Sequence, residues 1–250
     1  FWWAGFQLDG KAGPVALKAD FIYVDGDVDR SGIATFANPD LDYSGWCFYA
    51  NASAPIGPVT VGGVFTYSTG NDVGDTVASA DQDRDGFVVP PGSEARWIYT
   101  EGVVFWPSRV NDGVHINTTG FSGTQVSSGP TGGTWMAKLY ASIKPLDWLK
   151  VTGYGMYIGD TVDDGNQVGN AVDYAEVTGL EDESDIGIEF GLITDIQIYK
   201  NLKYSIAGGY LIAGDALDSY TGVDVVPGFI ADNDSPDNPW AIVSQLIFTF

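Results

Sequence analysis

Residues 81–86, Asp-Gln-Asp-Arg-Asp-Gly, place three carboxylates at alternate positions ahead of a glycine. That is how a D-x-D-x-D-G calcium loop opens: alternate side chains converge on one hard cation, and the glycine permits the sharp turn. The twelfth position, where a bidentate glutamate would close the coordination, is Gly92, with Glu94 nearby. A closed EF-hand is therefore not expected. A shallower Ca2+ site at Asp81, Asp83 and Asp85 is, with a solvated acidic loop as the plain alternative. Asp25, Asp27 and Asp29 echo the spacing more weakly.

A second set of charges lies inside alternating stretches: Asp9, Lys18, Asp20, Lys138, Lys150, Glu189, Asp195 and Lys203. Four acids facing four lysines on one wall would make a mixed, weakly selective lining for an aqueous passage. Their bland role is to pair across strands and hold register. Catalytic chemistry has little to stand on, and no enzyme is expected. His115 is the single histidine, in a polar Gly/Asn/Thr stretch, and no G-x-S-x-G, P-loop or H-E-x-x-H motif occurs. The single Cys47 excludes an internal disulfide framework and reads as a small wall residue.

The elements that carry these charges are strands. Nine segments alternate with period two, each with one apolar and one mixed parity. They are 1–10, 15–24, 43–53, 59–68, 134–143, 148–157, 185–199, 202–212 and the terminal stretch from 241. In 134–143, Trp135, Ala137, Leu139, Ala141 and Ile143 oppose Thr134, Lys138 and Ser142. In 185–199, Ile186, Ile188, Phe190, Leu192, Ile196 and Ile198 oppose Glu189, Asp195 and Gln197. Short connections around 10–14, 54–58, 144–148 and 199–203 alternate with long Gly/Asp-rich ones near 25–42, 69–133, 158–184 and 213–239. An up-and-down meander gives this when one rim is trimmed and the other decorated. The stretches 94–106 and 114–123 could add two more strands.

Charge sharpens the division. The 33 acids against 11 basic residues make nucleic acid an implausible partner. Counted as 25–42, 68–133, 158–185 and 214–238, the long connections hold 28 of the 33 acids, all four arginines and no lysine. The strands and short turns hold all seven lysines. A soluble sandwich has no reason to sort its charges this way, so the two rims are expected to face different media. No run of 18 or more apolar residues occurs, which excludes a spanning helix. Strands of 9–11 residues remain, and in hydrocarbon they must close into a barrel to satisfy their backbone groups. Trp2, Tyr23, Trp46, Tyr67, Trp135, Trp148, Tyr157, Tyr199 and Trp240 sit near strand ends, as interfacial girdles require.

The chain ends with Ile242, Leu246, Phe248 and Phe250 on one parity, with Ser244 the weak position. On these residues and the strand layout, it resembles Gram-negative outer-membrane β-barrels of the porin type. More loosely, it looks like deltaproteobacterial and alginate-export porins. The resemblance implies an all-β transmembrane antiparallel barrel in the bacterial outer membrane, with short periplasmic turns and long acidic extracellular loops. It implies that Ile242, Leu246, Phe248 and Phe250 are an assembly signal read by the barrel-assembly machinery, and that the default oligomer is a homotrimer. Because single-chain bacterial barrels have even strand numbers, it also implies at least one further strand upstream of residue 1.

The expected organisation is thus one barrel domain over 1–250, with 69–133 as a long connection that folds inward as a constriction or plug, an external cap being the alternative. The expected function is passive, mildly cation-favouring diffusion of small hydrophilic solutes or ions. Lipid and lipopolysaccharide surround the wall, and Ca2+ bound by the acidic loops could bridge them to lipopolysaccharide phosphates. The alternative is a structural barrel that sheathes or anchors a partner such as a cytochrome or a surface assembly.

Overall fold

The computed structural model describes residues 1–28, 41–70, 83–88, 101–105, 133–161, 183–217, 219–220, 233–234 and 237–249. Nine long strands form a single antiparallel up-and-down meander: β1 (Trp2–Ala12), β2 (Val15–Val28), β3 (Leu41–Ile56), β4 (Val59–Ser68), β6 (Thr134–Leu146), β7 (Leu149–Asp160), β8 (Asp185–Tyr199), β9 (Leu202–Ala213) and β12 (Trp240–Phe248). Two-residue β5 (Asp83–Arg84) pairs in parallel with β3, and β10 (Ser219–Tyr220) pairs with β11 (Asn233–Asp234) apart from the main sheet. The path runs β1-β2-β3-β4-β6-β7-β8-β9-β12, so β1 and β12 are its two edges. No helix among the described residues is long and apolar enough to cross a membrane.

The four short connections are two-residue turns. Gly13 and Gly57 each precede a proline with φ near +60° (61° and 60°). A hairpin turn with a positive φ at its first central residue demands glycine there, and proline suits the second. Across two of these turns Asp9 faces Lys18 and Lys138 faces Met156, and across the long connections Val64 faces Lys138 and Met156 faces Glu189.

The two faces of the sheet are reversed relative to a soluble protein. The apolar parity is exposed: Phe6, Leu8, Phe65, Leu139, Ile143, Ile188, Phe190, Leu192, Ile242, Leu246 and Phe248 all stand open. The mixed parity is covered, with Thr66, Ser68, Lys138, Ser142, Glu189 and Ser205 buried beside Met136, Tyr154, Met156, Ile193 and Leu211. On the outer face a row of rings runs from strand to strand near the long-connection rim. Trp2 touches Tyr23 (centroids 5.5 Å), Trp46 stacks on Tyr67 (4.8 Å), and Trp135 meets Tyr157 (5.2 Å). Tyr23–Trp46 and Tyr67–Trp135 are register partners that join these pairs into one row. Trp148 and Tyr199 stand exposed at the short-turn rim.

Two sequence expectations need correcting. Ile186, grouped with the outward apolar parity, is fully buried on the inner side. The register shifts there, with Ile158 opposite Gly187 and Gly159 opposite Asp185, and this irregularity skips Ile186 and turns it over. The described part of 94–106, residues 101–105, is a run of bends, so the extra strand suggested there does not form over those residues. The companion stretch 114–123, His115 and Phe250 lie outside the described residues.

Candidate functional site: the inner wall and the segment laid on it

The eight charges singled out on the mixed parity all fall on the inner face, where the fold divides them into three groups. Asp9, Lys18 and Asp20 lie together on β1 and β2. Asp9 and Lys18 form an open ion pair at 3.7 Å, and Asp20 sits across from Gln7 and Tyr49. Lys150, Asp195 and Lys203 gather toward the short turns on β7, β8 and β9. Lys150 is the register partner of Asp195, whose Oδ1 accepts the Ser205 hydroxyl at 2.7 Å. The third group, Lys138 and Glu189, is buried.

What buries it is residues 101–105, from the long connection between β4 and β6. Glu189, on β8, is 0% exposed and takes four hydrogen bonds. The backbone N–H groups of Val103 (2.6 Å) and Val104 (3.1 Å) and the Tyr154 hydroxyl (2.6 Å) donate to Oε1, and the Phe105 N–H (2.7 Å) donates to Oε2. Three successive amides wrapped around one carboxylate satisfy its charge without a cation. Lys138, on β6, donates from Nζ to the Glu101 carbonyl (2.6 Å) and to Glu101 Oε2 (2.7 Å). The same ammonium lies 4.4 Å from the centre of the Tyr154 ring, a cation–π distance. Tyr154 therefore ties the two together, its face to the lysine and its hydroxyl to the glutamate.

A second stretch of the same connection, residues 83–88, lies against the other end of the inner wall. Phe87 packs with Val24 and Cys47 in a buried cluster, the Phe87 N–H donates to the Thr69 carbonyl (2.9 Å), and Trp3 Nε1 donates to the Val88 carbonyl (2.9 Å). The connection thus touches the wall at β1–β3 and again at β6–β9. Between these contacts Tyr49, Asn51 and Tyr140 form a polar chain, with Asn51 Nδ2 donating to the Tyr49 hydroxyl (3.2 Å) and Tyr140 to Asn51 Oδ1 (3.3 Å).

The acidic motifs are less ordered into a site. Asp85 is exposed, Asp83 sits in β5, and Asp81 and Asp29 lie outside the described residues. The backbone brings Asp27, Asp42 and Asp83 into one row, because Asp42 is the register partner of both others. Asp25 instead accepts the Tyr23 hydroxyl at 3.2 Å. Among the described residues no three His, Cys, Asp or Glu side chains converge as a metal would require. Ile242, Leu246 and Phe248 point outward from β12 and are exposed.

Sequence reasoning missed Glu101, Tyr154 and the seat they share. A signal for Tyr154 was present, since a tyrosine on an otherwise polar parity needs a reason. Gly191 and Gly209, inside strands, were a second signal, because an interior strand glycine often marks a close approach. No family model matches the chain, and no curated protein matches its sequence.

Proposed function

We propose that this chain forms the wall of a β-barrel in the bacterial outer membrane and conducts small hydrophilic solutes or ions passively. The observation that carries the reading is the reversal of the faces. A soluble sheet cannot leave Phe6, Leu139, Phe190, Leu192 and Ile242 bare on one contiguous face while burying Lys138 and Glu189 on the other. Hydrocarbon outside and a polar interior inside remove the contradiction. The ring row at one rim and Trp148 and Tyr199 at the other then become interfacial anchors. In this reading the sheet closes, because edges left open at membrane depth would strand their amides. The short lysine-bearing turns face the periplasm and the acidic connections face outward.

The inner wall favours a channel over a sheath for a partner chain, because the chain's own residues 83–88 and 101–105 already lie on it. The connection that carries them narrows the passage. Acidic connections at the mouth concentrate cations, Ca2+ included, and give a mild cation preference. The deciding experiment is single-channel recording of the full-length protein in a planar bilayer under a KCl gradient, with and without Ca2+. Steady steps with a cation-favouring reversal potential that weakens in Ca2+ are expected. A folded, membrane-inserted chain that never conducts would falsify the pore.

A further inference from the structure

We propose that Lys138 and Glu189 are positioning residues: they fix residues 101–105 as a strap on the inner wall and so set the width of the passage, without acting as selectivity charges. The inference rests on the pore reading and assigns these two charges a role apart from the other six.

Four observations support it. The Glu189 carboxylate has four donors on its two oxygens and no exposure, so it presents no free charge to a passing ion. Lys138 is likewise occupied, by two acceptors of Glu101 and the face of Tyr154. The wall is cleared for the strap. At Gly209 an added Cβ would lie 2.9 Å from Val103 Cβ and 3.2 Å from Glu189 Oε1, and at Gly191 it would run into the Tyr154 ring that carries the bridging hydroxyl. Finally, residues 101–105 are distant in sequence from Glu189 and from Lys138, so local preference does not place them there.

The contrast with the open charges gives the proposal its content. Asp9, Lys18 and Asp20 remain accessible to solvent on the same wall, and substituting them changes the field an ion meets. Substituting Glu189 or Lys138 changes instead how often the strap sits in its seat. A charge-assisted hydrogen bond is worth at least one factor of ten in such an equilibrium, so Glu189→Gln shifts the docked-to-released ratio by about tenfold or more.

The test is single-channel recording of wild type, Glu189→Gln, Lys138→Met and Asp20→Asn in planar bilayers under a KCl gradient. Glu189→Gln and Lys138→Met are expected to raise mean conductance and leave the reversal potential in place, whereas Asp20→Asn moves the reversal potential. A reversal potential that moves in Glu189→Gln at unchanged conductance overturns the proposal, and so does no change in either quantity. A companion measurement does not depend on conduction. Amide hydrogen exchange of the membrane-inserted protein at Val103, Val104 and Phe105 reads directly whether Glu189 holds these N–H groups. Protection in the wild type that falls in Glu189→Gln supports the strap, and equal protection with and without that change overturns it. If even the wild type fails to conduct, the pore reading falls, while hydrogen exchange still decides whether Glu189 holds the strap.

Discussion

Along β6 the chain puts Lys138 inward at 7% side-chain exposure and Leu139, one residue later, outward at 75%. The same inversion holds on β8, where Glu189 is wholly covered and Phe190 is 53% exposed. A sheet in water would exchange these positions, since lysine and glutamate are almost never buried without partners and a broad bare apolar face invites association. On the proposed reading the two faces meet two different solvents, and the exposed apolar side chains of the outer face need no polar partners because hydrocarbon requires none. The inner face must satisfy the charges it hides, and for Lys138 and Glu189 it does so with backbone amides, a carbonyl, a phenol and a second carboxylate.

The largest test of this contrast is at Glu189. Replacing it with alanine leaves the Val103, Val104 and Phe105 amides and the Tyr154 hydroxyl without their acceptor. We expect a loss on the order of 3–5 kcal/mol, the size seen when one partner of a buried charge network is removed. Reversible denaturant unfolding in lipid vesicles measures it, and a loss below about 1 kcal/mol would mean that the strap contributes little to the fold.

Next in size is Leu139→Arg, which tests the other face by sign as well as magnitude. In a bilayer an outward arginine near the midplane costs about 2–4 kcal/mol. On a water-facing sheet the same change would be neutral or would improve solubility. Vesicle unfolding separates the two, and an unchanged midpoint would remove the basis for a lipid-facing exterior. Lys138→Met follows. It removes the ammonium from Glu101 yet keeps most of the side-chain volume, and we expect a loss of about 1–3 kcal/mol.

How much of this was legible in the sequence differs between the faces. Period-two alternation and the short–long alternation of the connections sufficed for nine strands, their order and their inward parity, and a two-residue turn propagates register along each of four hairpins. Leu139 and Phe190 could be placed outward from parity alone. The division among the eight inner charges could not. Whether Lys138 resembles Lys18 depends on where residues 101–105 land, and no periodicity in the 69–133 connection encodes that. Ile186 was misplaced for a related reason: one irregularity at Gly187 turns it over, and alternation has no means of signalling a skipped residue.

The smallest expected effect on stability is also the sharpest control. Asp9 and Lys18 form an ion pair like that of Lys138 and Glu101, but at 3.7 Å instead of 2.7 Å, with side chains 71% and 62% exposed. Water screens such a pair and its side chains keep their rotamer freedom, so Asp9→Asn should change unfolding free energy by less than about 1 kcal/mol. Its charge is nevertheless free to act on ions, as that of Glu189 is not. The expected result is an unchanged vesicle unfolding midpoint together with a reversal potential shifted toward lower cation preference. If Asp9→Asn instead destabilised the chain as much as Lys138→Met, exposure would not be what divides the inner charges. The distinction between charges that hold the wall and charges that face the passage would then have to be abandoned.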